Sequence, residues 1–141
     1  MALIKYSIKV PGNSIASYCE SKTAGGTFAA MDVVTLSAGT VICSTAADNT
    51  AYGIAITSGT AAGECVVLPF RSGVKIVLPT SGTEAVTNVG VMYALSGTTG
   101  AQYVNLAETG QDLFTVCQID ITNELAEVTV PSAKSIAETG A

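Results

Sequence analysis

Met31-Asp-Val-Val-Thr-Leu-Ser37, with the Ala38-Gly-Thr-Val-Ile-Cys-Ser44 that follows it, reads as two short strands, 33–36 and 41–44, about the corner Ser37-Ala38-Gly39. β-Branched residues pack well on a pleated surface, and glycine turns a corner at positive φ without steric cost. The same alternation of apolar run and Gly/Ser/Thr corner continues outward in both directions, at the spacing of about 8–12 residues that marks a sandwich or barrel. Further strands are expected at 3–9, 51–57, 64–70, 74–78, 91–95, 102–106, 113–121 and 126–130, with corners at 58–63, 71–73, 80–82, 96–100 and 108–110. The fold class is all-β.

The opening stretch has a counterpart. Met31–Ser37 resembles Gly90-Val-Met-Tyr-Ala-Leu-Ser96, and Tyr52-Gly-Ile-Ala-Ile56 followed by Glu64-Cys-Val-Val-Leu-Pro69 resembles Phe114-Thr-Val-Cys-Gln118 followed by Ala126-Glu-Val-Thr-Val-Pro131. The parts come in the same order, a weak internal duplication that predicts a pseudo-symmetric barrel whose halves meet around the strand at 74–78. The ends differ from this body. Residues 1–27 are expected as an N-terminal strand or arm and linker, 28–131 as the barrel body, and 132–141, small and polar, as a flexible tail.

Composition narrows the function. At 141 residues the chain is long enough for one self-sufficient core, 48% hydrophobic and only 12% charged. Helix-favouring Glu, Lys, Leu and Arg are scarce. A net charge of −5 with six scattered Lys and Arg does not fit a binder of nucleic acid, whose phosphates need clustered cations. Lys5 and Lys9 interrupt the short apolar opening, so no signal peptide is expected, and no run reaches the roughly 20 apolar residues of a membrane span. The reading is a soluble protein made in the cytosol. Cys19, Cys43, Cys65 and Cys117 stand apart with no CxxC pair, which reads as free, buried thiols.

Catalytic signals are sparse. Histidine, the commonest general base near neutral pH, is absent. Asp112, Asp120, Glu124 and Glu127 fall near one another late in the chain and could serve as paired carboxylates or a calcium site, yet they lack EF-hand spacing and read as solvated hairpin positions. Gly59-Thr-Ala-Ala-Gly63 lacks the Gly-Lys-Thr ending of a phosphate loop. Phe70-Arg71-Ser-Gly-Val-Lys75 sets two cations beside an aromatic ring, a contact point for an acidic surface or a hairpin with solvated ends.

From about Gly26 to Pro131 the order of elements resembles the capsid decoration, or cement, proteins of tailed phages. The residues that carry it are the paired strand Asp32-Val-Val-Thr-Leu36, the Gly turn, Gly53-Ile-Ala-Ile56, the Ala/Gly-rich loop, Glu64-Cys-Val-Val-Leu68, Ser72-Gly-Val74 and then a second cycle. Met31 stands where that pattern has glycine. The resemblance implies a compact β-barrel or β-tulip-like sandwich of short antiparallel strands that binds the outer surface of the capsid. There it would bridge subunits of the major capsid protein, as a homotrimer made in the host cytoplasm and carried on the virion. It brings no catalytic residues, cofactor or metal, and no nucleic-acid or membrane partner. The candidate capsid or oligomer contacts are Leu3, Ile4, Lys5, Tyr6, Ile8 and Lys9 of the N-terminal arm, which could add a strand to a sheet edge, together with Arg71 and Lys75. A head fibre, tail or baseplate component is the alternative.

Overall fold

A computed structural model describes residues 2–12, 14–81, 83–108 and 110–139. Gly82 and Thr109, at two of the expected corners, and the last two residues of the expected tail lie outside the described residues. The strands are β1 (Ile8–Lys9), β2 (Glu20–Thr23), β3 (Val33–Ser37), β4 (Thr40–Cys43), β5 (Gly53–Ala55), β6 (Glu64–Pro69), β7 (Lys75–Ser81), β8 (Met92–Ser96), β9 (Tyr103–Asn105), β10 (Asp112–Asp120) and β11 (Leu125–Thr129). A short helix, α1 (Ile136–Thr139), follows.

These strands form two sheets of one topology. The first runs β2-β6-β5-β3-β4, and a parallel bridge, Ala24 to Val41, brings β4 back to β2. The second runs β7-β11-β10-β8-β9, and the parallel pair Thr80 to Val104 brings β9 back to β7. Register repeats as well. Lys22 faces Cys65 as Leu78 faces Ala126, Ala55 faces Val67 as Val116 faces Val128, and Leu36 faces Val41 as Leu95 faces Val104. Each half of the chain therefore closes its own ring of five strands, where the sequence reading expected one barrel divided about 74–78. β7 is the first strand of the second ring and not a shared axis. Met31–Ser37 and Gly90–Ser96 are equivalent as read. In the later segments the pairing moves the equivalence by one residue, matching Tyr52 with Leu113 and Pro69 with Val130.

Packing explains why the first-half strands do not alternate polar and apolar. Val33, Ile54 and Leu68 enter a core shared with Ile76, Leu78, Leu95, Phe114 and Val128 of the second half, while Val34, Ala55 and Val67 point into the first ring with Phe28, Val41 and Cys65. A strand buried on both faces reads as a continuous apolar run. A polar latch joins the halves. Gln102, just before β9, accepts from the Val33 amide (2.6 Å) and donates to the carbonyls of Val33 and Ser44 (both 3.1 Å), and buried Asp32 accepts from the Gly100 amide (3.0 Å).

Two end segments differ from expectation. The linker contains β2, whose residues Glu-Ser-Lys-Thr carry no apolar pattern because it is held by backbone pairing to β6. The tail is docked. Ala51 bridges Ser135, Ile136 is 9% exposed within the first-half core, and the buried Ser135 hydroxyl donates to the Phe70 carbonyl (2.5 Å).

Candidate contact surface

The N-terminal residues lie along the outer edge of β7. The strand expected over 3–9 is confined to Ile8–Lys9, which face Ile76 and Lys75. Beyond it Tyr6 donates its amide to the Val77 carbonyl (2.8 Å) and Val77 returns a bond to Ser7 (3.0 Å). Tyr6 takes φ +65, so the chain leaves the edge before the point where β9 takes it over. Six of the proposed contact residues, Leu3, Ile4, Lys5, Tyr6, Ile8 and Lys9, are thus gathered on one flank, with Lys75 opposite Lys9. Ile4 is 75% exposed, and Ile121, next to the Asp120 that binds Leu3, is 49% exposed.

Two carboxylates anchor this segment. Asp120 accepts from the Leu3 amide (2.9 Å) and from the Asn123 side chain (2.9 Å), and Glu127, its side chain 3% exposed, pairs with Lys9 at 3.0 Å. Bonds from Asn123 first, and from the Leu3 amide second, favour the charged form and hold the Asp120 carboxyl below the usual aspartate value. Both acids were expected as solvated hairpin positions; both are buried, because the N-terminal segment covers them. Clefts border the segment on either side, one of about 320 Å³ against Lys5, Tyr6, Thr80 and Tyr103 and one of about 230 Å³ against Leu3, Ser7, Lys9 and Gln118.

Arg71 belongs to a separate cluster that holds the tail. Its guanidinium donates to the Ala137 carbonyl (3.2 Å) and to Glu20 (3.4 Å), while the Ser72 amide donates to Glu138 (3.1 Å). Glu20 also accepts from the Tyr52 hydroxyl, the largest influence lowering its carboxyl, and Lys22 lies 5.1 Å from the Tyr52 ring. Side-chain chemistry that sequence alone did not single out thus sits at Gln102 and Glu20. A glutamine before a strand and a glutamate in a polar stretch carry no motif.

Other chemistry is thin. The four cysteines are free, and burial pushes each thiol upward, away from the reactive thiolate. Among the described residues no group of three His, Cys, Asp or Glu side chains is placed to hold a metal, and no helix is long and apolar enough to cross a membrane. No protein-family model matches the chain, and no curated protein matches it.

Proposed function

We propose that this chain is a structural, non-enzymatic virion protein that binds the outer surface of a tailed-phage capsid and stabilises it by bridging subunits of the major capsid protein. One observation carries the reading: the segment that resembles the decoration proteins folds as a repeated β unit in which buried Asp32, Gln102, Asp120 and Glu127 hold one part of the chain to another. Asp32 and Gln102 latch the halves, and Asp120 and Glu127 hold the N-terminal segment, so the hydrogen bonds and the ion pair of these groups are made to the chain itself. A clamp of this kind works through many modest contacts, since each one made raises the effective concentration for the next.

The test is binding of the purified protein to expanded, genome-free capsids of its own phage. Co-sedimentation at micromolar concentration, with a rise in the capsid's thermal transition, is the expected result. Absence of binding, or recovery of the protein from tails and not heads when virions are dissociated, would overturn it.

A further inference from the structure

The two halves make an internal comparison. In the second half the outer edge of β7 is covered by β1, with Val77 giving and receiving backbone bonds. In the first half the equivalent of Val77 is Ser21, exposed and on the edge of β2 away from β6, with no strand laid over it among the described residues. The repeat is therefore complete without a β1. The N-terminal segment is an addition to it, seated in a slot built from β7, Asp120 and Glu127.

We propose that this segment is exchanged between copies: residues 2–9 of one chain occupy the β7 edge of a second, setting Lys9 on that copy's Glu127 and the Leu3 amide on its Asp120. Four observations point to a second copy as the occupant. The buried Glu127 carboxylate requires a cation at one place along the incoming strand, and this chain's own N-terminus carries it. The contacts of the segment run from the β7 edge to Glu127 of β11 and Asp120 of β10, all within the second half, so exchange remakes each of them on a second copy, which is why swapping a terminal element is a low-cost route to oligomers. Ten residues separate Lys9 from Glu20, a reach of about 33 Å when extended. Finally, exposed Ile4 and Ile121 flank the slot, where a neighbouring copy would cover them. Exchange round a closed ring would give the cyclic assembly that multivalent capsid binding needs, although the inference stands without any capsid.

Charge reversal separates exchange from docking within one chain. Lys9→Glu and Glu127→Lys each place like charges across the slot and leave each variant weakly associated on its own. When the two are mixed, the acidic arm of the first variant meets the basic slot of the second, and the unaltered arm meets the unaltered slot. Sedimentation should then show a mixed complex at concentrations about tenfold below those at which either variant associates alone. A mixture that sediments as the sum of its parts overturns the proposal. Should Glu127→Lys fail to fold, isotope-filtered NMR on the unaltered chain, refolded from equal labelled and unlabelled protein, decides the matter. Contacts between Ile8 and Ile76 of different molecules support exchange, and contacts confined within one molecule, or a monomer at all concentrations, exclude it. Neither experiment contains a capsid, so failure here is distinct from failure of the capsid reading.

Discussion

Met31 and Gly90 make the same left-handed step, at φ +73 and +87, immediately before equivalent strands. Each donates its amide across to the strand two places further in the repeat, Met31 to Ala55 (2.6 Å) and Gly90 to Val116 (2.8 Å). The missing glycine noticed in the sequence is thus a real glycine-like position filled by methionine. Ala38 is a second case, at φ +51 in an exposed turn where the second half has Gly97 at φ +94. A Cβ is disfavoured in this region, and Ala38 buries nothing there, so Ala38→Gly should stabilise the protein by about 1 kcal/mol in urea titration. Destabilisation by the same amount would mean that the turn is not strained. Gln102 is the opposite kind of residue. Gln102→Leu would strand the Val33 amide and the Ser44 carbonyl in the interior, the Val33 carbonyl keeping its bond from the Ser44 amide, and a loss of about 3 kcal/mol is expected from the same measurement. None of this could be read from the glutamine itself, because its partners lie 58 and 69 positions away in sequence.

Among elements, those with apolar runs were legible and those held by polar contacts were not. The expected strands at 33–36, 64–70 and 113–121 match β3, β6 and β10 within one residue at each end, since β-branched and aromatic side chains there are buried in a pleated surface. β2 was missed because Glu20 and Lys22 present only their side-chain stems and tips to Tyr52, leaving no apolar signature. The tail was missed because Ile136 is its one large apolar residue and the rest of its docking is polar, through Ser135, backbone bonds to Ala51 and the Arg71 cluster. Truncation after Pro131 should therefore cost roughly 2–4 kcal/mol, from burial of Ile136 and loss of the Ser135 bond, and an unchanged denaturation midpoint would show the tail to be dispensable. The N-terminal segment carries a pH dependence. The folded Asp120 carboxyl sits below its ordinary value of 3.8, so its contribution is present above that value and is lost as pH falls through the lower, folded one. Protection of the Leu3 amide against hydrogen exchange should accordingly weaken from about pH 4 downward; constant protection to about pH 2 would show that Asp120 does not hold the segment.

At the scale of the molecule, the halves are two rings with one shared core and the Asp32–Gly100 and Gln102–Val33 latches between them. Neither can open without exposing Val33, Ile54 and Leu68, so calorimetry should find one transition whose van't Hoff and calorimetric enthalpies agree. Two resolved transitions would mean that the rings are independent domains. From sequence alone, the all-β class and most strand positions follow, because propensity and glycine corners act over a few residues. The repeat is visible there too, through Met31–Ser37 and Gly90–Ser96. Tertiary structure decided the rest: that each half closes on itself, that the equivalence shifts by one residue after β4, that the tail is seated, and that the N-terminal segment rests on buried Asp120 and Glu127. These depend on pairing across long loops and on polar groups that acquire meaning only opposite a partner, and neither leaves a local pattern in the chain.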